Sequence, residues 1–349
     1  MLEHGGTIRQ AARIYGIPPS EWLDLSTGIN PLGWPVPEIP PSAWQRLPES
    51  KDELEQAAQK YYAIEFFLSV AGAQAAIQTL PNLRPSCRVG LIATSYLEHQ
   101  RTWSQQGHQV LTLRYDQLAD ASQTLDVIVV CNPNNPTGTI LSVHELLNLY
   151  ERLAARDGWL IVDESFIDTT PDLSITAEVG KEGLIVLRSL GKFFGLAGAR
   201  IGFIFAWQDL LSSLNERMGP WSVNGPARWA ASRALGDQLW QENARAWLIV
   251  QSKRLAALLR GFGFTVAGGT HFFQWVVDDR AQALHEFLAR EAILSRLFQE
   301  PKSIRIGLPP DESGWSRLTS ALDAFAANSN SHTQEFSPAT APVPRAETQ

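Results

Sequence analysis

Five short runs of consecutive apolar residues constrain the fold of this chain more than any other feature. They lie between residues 88 and 205, and longer mixed segments separate them. Apolar and polar residues do not alternate within the runs, so each strand is expected to be buried on both faces, as in a parallel sheet covered by helices. The runs are Val89–Ala93, Val127–Val130, Trp159–Val162, Leu184–Leu187 and Ile201–Phe205.

The segments between the runs support the same interpretation. Within Val143–Arg156, apolar residues recur at positions 146, 147, 150 and 153, which is helical spacing. A second amphipathic stretch lies near Asp52–Tyr62. Strands that alternate with helices predict an α/β fold with a mainly parallel sheet.

Changes in composition divide the chain into four predicted parts. Residues 1–50 carry many prolines and are expected to be irregular, and residues 51–225 form a large domain. Residues 226–327 combine a long helical stretch, Ala227–Leu259, with strand-like runs at Phe272–Val277 and Ile304–Ile306, which predicts a smaller α+β domain. Residues 328–349 are rich in Ser, Thr, Pro and Ala and are predicted to be a disordered tail.

Charge and composition exclude several classes of protein. With 29 Lys+Arg against 36 Asp+Glu, the net charge of −7 argues against a nucleic-acid-binding protein. The sequence has neither an apolar run long enough to cross a membrane nor a signal-like N-terminus, so we expect a cytoplasmic protein without a membrane partner. Two cysteines are too few for a disulfide framework or a thiolate zinc site, and no metal is predicted.

Polar residues follow three of the predicted strands. Asn135 lies in Asn-Pro-Asn-Asn-Pro-Thr-Gly after the second run, Asp163 ends the third, and Lys192 lies in Ser-Leu-Gly-Lys after the fourth. In open parallel sheets ligands bind at the carboxyl ends of strands. One such residue is weak evidence, since a strand-end Asp often caps a turn and a Lys is usually a solvated surface residue. The three together predict a site.

These motifs resemble those of the pyridoxal-phosphate (PLP) enzymes with the aspartate aminotransferase fold, over roughly residues 4–325. The resemblance implies that Lys192 carries PLP covalently, that Asp163 pairs with the protonated pyridine nitrogen, and that Asn135 bonds the phenolic oxygen. It places the PLP site in the large domain and implies that residues 1–50 cover it. The remaining cofactor contacts that it implies are phosphate binding by Ala73, Gln74, Ser189 and Arg200 and ring stacking by Tyr96.

Further motifs narrow the resemblance within this family. His-Gly-Gly-x-Ile-Arg from His4, Ile-Asn-Pro-Leu-Gly from Ile29 and Pro-Trp-Ser-Val-Asn from Pro220 resemble threonine-phosphate decarboxylases of cobalamin biosynthesis, whose relatives are histidinol-phosphate aminotransferases. A phosphorylated amino acid is therefore the implied substrate, and a homodimer is the implied assembly. The implied substrate-binding residues are His4, Gly5, Gly28, Asn135, Arg296 and Arg305.

Two positions depart from the pattern of the relatives. Gly28 stands where relatives often have Asn, so any contact there must come from the backbone. Leu47 stands where they tend to have a tyrosine that reaches the partner subunit's cofactor phosphate, which bears on that contact and on PLP affinity rather than on the chemistry. Phe166 stands where the aminotransferases carry the tyrosine of Asp-Glu-Ala-Tyr, and Phe-Ile-Asp from Phe166 resembles the decarboxylase version.

Two other functions stay open at this point. One is an aminotransferase of the histidinol-phosphate type, because the residues do not show which bond at the substrate Cα is broken. The other is an inactive PLP-fold partner in corrinoid assembly, although the chain retains Asn135, Asp163, Lys192 and Arg200. The four cationic side chains of Lys192, Arg200, Arg296 and Arg305 also indicate local anion binding despite the negative net charge.

Overall fold

A computed structural model of the chain describes residues 5–49 and 51–334, with side chains described up to Asn328. The helices are α1 (Ile8–Tyr15), α2 (Pro41–Gln45), α3 (Glu53–Tyr62), α4 (Ala73–Thr79), α5 (Leu97–Gln105), α6 (Leu118–Ala121), α7 (Val143–Ala154), α8 (Gln208–Met218), α9 (Gly225–Gly236), α10 (Gln238–Gly261), α11 (Ala281–Arg290) and α12 (Glu312–Gln334). The strands are β1 (Leu23–Asp24), β2 (Phe67–Val70), β3 (Arg88–Ile92), β4 (Gln109–Leu113), β5 (Val127–Cys131), β6 (Trp159–Asp163), β7 (Leu184–Ser189), β8 (Gly202–Phe205), β9 (Val266–Thr270), β10 (Phe273–Val277), β11 (Ile293–Leu294), β12 (Arg296–Phe298) and β13 (Ser303–Gly307).

The large sheet has seven strands in the order β2-β8-β7-β6-β5-β3-β4. Strands β3 to β7 pair in parallel, and β8 pairs antiparallel with both β2 and β7. Along β5, Ile128 and Val130 belong to one apolar core, while Val127 and Val129 belong to the core on the opposite face. The predicted α/β class and the five apolar runs are confirmed, because these central strands are buried on both sides.

The second sheet is smaller and antiparallel, in the order β12-β13-β10-β9. Its strands β10 and β13 are the predicted runs near residues 272–277 and 304–306. The predicted long helical stretch is divided into α9 and α10 at Asp237, whose side chain accepts a hydrogen bond from Trp240 N and so caps α10. The domain boundaries drawn from composition stay a prediction.

The N-terminal segment is more regular than its prolines predict. Helix α1 precedes them, and α2 has a proline at its first position, where the missing N–H costs no hydrogen bond. Strand β1 pairs in parallel with β11, with Leu23 opposite Ile293. At the other end of the chain, α12 continues past the predicted start of the tail to Gln334, and residues 335–349 lie outside the described residues.

No helix among the described residues is both long and apolar enough to cross a bilayer.

The loop after β5 packs directly on the small sheet. Gly269 N donates a hydrogen bond of 3.1 Å to Thr137 O. Gly138 has φ 73°, and a Cβ atom at this position would collide with Gly269 O. Since this loop also carries Asn135, backbone contact between two glycines fixes part of the predicted site against the second sheet.

We predict that Gly138→Ala destabilises the protein much more than Gly107→Ala. Both glycines have positive φ, 73° and 79°, but a Cβ at Gly107 would meet no described heavy atom within 4 Å. The control therefore costs about 1–2 kcal/mol for its left-handed backbone, whereas Gly138→Ala adds about 1–3 kcal/mol for overpacking. Thermal unfolding followed by circular dichroism measures both, and equal losses would contradict the proposed close packing.

Candidate active site

A cavity of about 140 Å³ opens at the carboxyl ends of β5, β6 and β7. All eight residues predicted to bind the cofactor line it, so the structure brings the predicted cofactor set together. Their individual roles stay predictions. The lining residues are Ala73, Gln74, Ile77, Tyr96, Cys131, Asn135, Asp163, Ser165, Phe166, Ser189, Lys192 and Arg200.

Asp163 is the last residue of β6 and is held by three hydrogen-bond contacts. Its Oδ2 lies 3.0 Å from His99 Nε2, and its Oδ1 accepts bonds from Ser165 Oγ at 2.5 Å and Ser165 N at 3.0 Å. Burial opposes ionisation, but His99 and Ser165 outweigh it and hold the pKa of Asp163 below its usual range. The cavity therefore contains a fixed carboxylate at the end of a buried strand.

His99 and Ser165 are functional neighbours that the sequence motifs do not identify. Burial alone would lower the pKa of His99, but the hydrogen bond to Asp163, together with Cys131, raises it to about 10. His99 lies on the buried face of α5 with Thr102 and Trp103. Tyr96 caps the start of the same helix, and its ring lies 6.1 Å from the His99 ring, edge to face.

Lys192 follows β7 and is partly buried, with its Nζ 5.4 Å from the centre of the Phe166 ring. Burial is the main reason that its pKa is lowered to about 8, and the charge of Arg305 lowers it further while Asp163 opposes the shift. A substantial fraction of the amine is therefore neutral near physiological pH. A neutral amine can act as a nucleophile or accept a proton.

Ser189 and Arg200 line the cavity, and Arg200 supplies a cation there. Arg200 Nη1 donates a 3.0 Å hydrogen bond to Ala197 O, which orients the guanidinium. A Cβ atom at Gly72 would lie only 2.8 Å from Arg200 Nη2. Glycine at position 72 therefore lets the guanidinium lie close to the backbone before α4, and a guanidinium at the cavity wall suits a phosphate group.

Tyr96 and Gln74 are coupled at the cavity wall. The Tyr96 hydroxyl donates to Gln74 Oε1 at 3.2 Å, and Gln74 Nε2 donates to Glu98 Oε2 at 3.0 Å. Burial raises the pKa of Tyr96 to about 12. Its phenol therefore stays neutral, and the ring is fixed where an aromatic ligand can stack on it.

Arg305 lies behind the cavity and contacts two parts of the predicted site. Its Nη1 donates to Asn135 Oδ1 and its Nη2 donates to Ser26 O, both at 2.5 Å. Burial, then the nearby charge of Arg296, lowers the pKa of Arg305 to about 9. Among the described residues, the buried Arg305 Nε has no hydrogen-bond partner.

Arg296 and Arg305 are cross-strand neighbours, since they are opposite each other in the pairing of β12 with β13. Neither lines the cavity itself, but Arg305 reaches it through Asn135. Two adjacent guanidiniums repel each other, so an anion that binds them both relieves the repulsion.

The N-terminal segment contacts the same region through Ser26. Gly6 N donates to Ser26 Oγ at 2.7 Å, and a Cβ at Gly5 would collide with the Ser26 carbonyl. His4, which is predicted to contact the substrate, lies outside the described residues. Gly5 therefore lies against the same carbonyl group that Arg305 contacts.

Gly28 leaves space that two aromatic rings occupy. A Cβ at this position would lie 2.9 Å from Phe166 Cε1 and 2.9 Å from Phe273 Cδ1. The asparagine that relatives often have at position 28 would therefore require both rings to move. The phenylalanine at position 166 therefore packs in space that the glycine at position 28 leaves free.

Residues 40–323 match the family described as aminotransferase class I and II, and the chain belongs to this family. Its fold is also that of a histidinol-phosphate aminotransferase from Sinorhizobium meliloti in complex with pyridoxal-5'-phosphate, with a TM-score of 0.81, 18% identity and coverage of 94% of this chain and 96% of that one.

Particular members of the family are much more similar in sequence. A threonine-phosphate decarboxylase from Pseudomonas aeruginosa is 52% identical over 93% of this chain and 98% of the relative. A second, from a Sinorhizobium species, is 42% identical over 92% of this chain and 97% of the relative.

The residues of the cavity fit PLP. Asp163 supplies an anion for a protonated ring nitrogen, and Arg200 supplies a guanidinium for a phosphate. Because Arg305 occupies Asn135 Oδ1, the amide N–H of Asn135 is the group left to donate to a phenolic oxygen. Lys192 provides the amine for covalent attachment.

We predict that Lys192 of the cofactor-free protein titrates near a pKa of about 8 and that Arg305→Gln raises this value. Below its pKa the amine is protonated and unreactive, so the rate of acetylation by acetic anhydride should rise through that pH. Removing a neighbouring cation favours the charged amine and shifts the rise to higher pH. Peptide mass spectrometry at Lys192 measures the rate.

The matched control is Arg254→Gln, which removes an exposed arginine paired with Glu312. This substitution should leave the pH dependence of Lys192 acetylation as it is in the unaltered chain. An identical profile in Arg305→Gln would show that Arg305 does not act on Lys192.

Proposed function

We propose that this chain is a PLP-dependent decarboxylase that converts L-threonine O-3-phosphate into (R)-1-amino-2-propanol O-2-phosphate for the cobalamin side chain. The observation that carries the proposal is the full-length similarity to threonine-phosphate decarboxylases, at 52% and 42% identity. The cavity that Asp163, Lys192, Asn135 and Arg200 line supplies the matching chemistry.

PLP, when bound, accepts the electron pair that the departing carboxylate leaves at the substrate Cα. Asp163 keeps the cofactor's ring nitrogen protonated, because His99 and Ser165 stabilise its ionised form. Tyr96 supports one face of the ring. Asp163 and Tyr96 would thus hold the PLP ring with its nitrogen protonated, the form that accepts electrons best.

Lys192 moves protons at the substrate Cα. Burial and neighbouring cations lower its pKa to about 8, so at neutral pH the protonated amine can return a proton to Cα after CO₂ has left. Breaking the bond between Cα and the carboxylate would require protein groups that hold the carboxylate in one orientation. Arg305 and Arg296, adjacent on β13 and β12, are the residues that we assign to the substrate's two anions.

The N-terminal segment contributes to closing the site. Gly5 and Gly6 contact Ser26, and the Ser26 carbonyl accepts a hydrogen bond from Arg305. We assign residues 1–50 a covering role over the substrate, which limits the access of water to the reacting atoms.

An aminotransferase of the histidinol-phosphate type is the second candidate. A histidinol-phosphate aminotransferase from Legionella pneumophila is 37% identical, although the match covers only 35% of this chain. In that reaction Lys192 would remove the Cα proton instead of returning one. Phe166 favours decarboxylation as the main activity, since the tyrosine hydroxyl of the aminotransferase motif is missing.

We predict that the holoenzyme releases CO₂ from L-threonine O-3-phosphate without a 2-oxo acid and that Lys192→Ala lowers the rate by at least about 10²-fold. A coupled CO₂ assay and mass spectrometry of the product measure the reaction. Lys181→Ala is the control, because this lysine is exposed and paired with Glu178.

The outcome decides among the alternatives. Transamination that depends on 2-oxoglutarate, without CO₂, would identify the aminotransferase. If the chain fails to bind PLP, so that no absorbance of a bound cofactor is seen, the hypothesis of an inactive partner in corrinoid assembly would be favoured.

We further propose a cytoplasmic homodimer. Apolar side chains are exposed on the N-terminal segment and on the loop before α9, and α2 packs against α9. Trp44 is 67% exposed, Leu47 65% and Trp221 57%. Exposed apolar patches of this kind mark protein interfaces. Leu47 cannot donate the hydrogen bond of the tyrosine that relatives tend to have, but it adds apolar surface there.

We predict that Trp44→Glu weakens this dimer, because a buried unpaired carboxylate at an interface is unfavourable. Size-exclusion chromatography with light scattering gives the mass as a function of protein concentration. Ile14→Glu is the control, since Ile14 is equally exposed at 67% but lies on α1. A monomeric unaltered chain would contradict the assembly, and equal effects of both substitutions would contradict its location.

A further inference from the structure

Three potential metal ligands from three different elements meet at one end of the cavity. His99 comes from α5, Cys131 is the last residue of β5, Asp163 is the last residue of β6, and all are buried. Their ligand atoms lie within 4.8 Å of one another. In the described part of the chain, this is the one group of His, Cys, Asp and Glu side chains close enough to hold a metal ion.

We propose that the cofactor-free chain binds one Zn²⁺ ion at His99 Nε2, Cys131 Sγ and a carboxylate oxygen of Asp163. Nitrogen, sulfur and oxygen are the donors that Zn²⁺ uses in proteins, and three protein ligands with one open position are typical of accessible zinc sites. The cysteine count of the sequence does not predict this site, because only one of its ligands is a cysteine and the fold brings His99 and Asp163 to it.

The geometry requires small movements. Zinc bonds of about 2.0 Å to nitrogen or oxygen and about 2.3 Å to sulfur place tetrahedral ligand atoms about 3.3 Å apart, or about 3.5 Å where one of them is sulfur. His99 Nε2 and Asp163 Oδ2 are 3.0 Å apart, so they must separate by roughly 0.3 Å to admit the ion. The ligand atoms lie within 4.8 Å of one another, so any pair near that limit must approach by roughly an ångström.

The ligands are supported by neighbouring groups. Ser165 donates to Asp163 Oδ1 through both its hydroxyl and its amide, which leaves Oδ2 facing His99. Ser95 Oγ lies 3.4 Å from Cys131 Sγ. Such second contacts orient metal ligands and raise metal affinity.

Charge also favours the ion. A thiolate and a carboxylate together neutralise Zn²⁺, so the occupied site carries no net charge in a buried position. Binding forms three metal–ligand bonds and releases to solvent the thiol proton of Cys131 and the Nε2 proton of His99. No group is oxidised or reduced.

The zinc site overlaps the cofactor site. Cys131 and Asp163 both line the cavity, so the fourth ligand position of the ion faces the space that the cofactor needs. On the proposed function, Asp163 pairs with the ring nitrogen of PLP and cannot bind zinc at the same time. Zinc and PLP therefore exclude each other, and they compete for the apoprotein.

Zinc uptake by the full-length, PLP-stripped chain tests the proposal directly. Isothermal titration with ZnCl₂ and a chromogenic chelator should give one ion per chain, released when PLP is added. Cys131→Ser should weaken zinc binding by more than about tenfold, because loss of a supporting contact alone costs 10–100-fold. His99→Gln should have a similar effect, and circular dichroism checks that both variants are folded.

Cys87→Ser is the matched control, because Cys87 Sγ also lies 3.2 Å from a histidine, His108 Nδ1, but away from the cavity. It should bind zinc as the unaltered chain does. No zinc uptake, or uptake that survives both Cys131→Ser and His99→Gln, would overturn the site. Simultaneous binding of zinc and PLP would overturn the overlap. None of these readouts needs turnover, so a failed decarboxylase assay would not be mistaken for a failed zinc site.

Discussion

Strands β5, β6 and β7 are covered on both faces, and this burial determines where the chain can place polar chemistry. A side chain in the middle of such a strand faces an apolar core, as Ile128 and Val129 do on opposite sides. Polar groups can reach solvent or a ligand only where the strands end. Asp163 and the loops that carry Asn135 and Lys192 occupy these ends, so the cavity follows from the burial of the sheet.

The local charges of the site differ sharply from the average of the chain. The net charge is −7, yet Arg200, Arg296, Arg305 and Lys192 lie close enough to interact, and burial together with neighbouring cations lowers the pKa of Lys192 and of Arg305. Asp163 is the anion of the cavity and is stabilised by hydrogen bonds. A ligand with a cationic ring nitrogen and anionic substituents matches this separation of charge.

Much of the fold and most of the candidate site follow from local sequence patterns. Continuous apolar runs predict the central strands, and short motifs at their ends place Asn135, Asp163 and Lys192 in one cavity. The same patterns do not predict the edge strands β2 and β4, since these are only partly buried and lack a continuous apolar run. Nor do they predict helix α1, because the prolines that follow it dominate the composition of its segment.

Other features of the site depend on contacts that no local pattern contains. His99 is a helical residue whose partner, Asp163, is 64 residues away. The family resemblance implies an anion-binding role for Arg305, which stays a prediction, but its hydrogen bonds to Asn135 and Ser26 depend on how strand β13 packs against two distant loops. The close packing at Gly28 likewise involves two rings, Phe166 and Phe273, from separate parts of the chain.

The hydrogen bonds of Arg305 have a consequence for the order in which the site is made. The Arg305 guanidinium contacts Asn135, which lies 170 positions earlier in the chain, and Ser26, which lies 279 positions earlier. Strand β1, close to Ser26 in the sequence, pairs with β11. Contacts of such large sequence separation form late, because long loops must first be closed. During synthesis, the large sheet and the residues that line its cavity, which lie between Ala73 and Arg200, can therefore be complete before Arg305 contacts Asn135. The ribosome has to deliver almost the whole chain before this guanidinium can hold Asn135 and Ser26 in place.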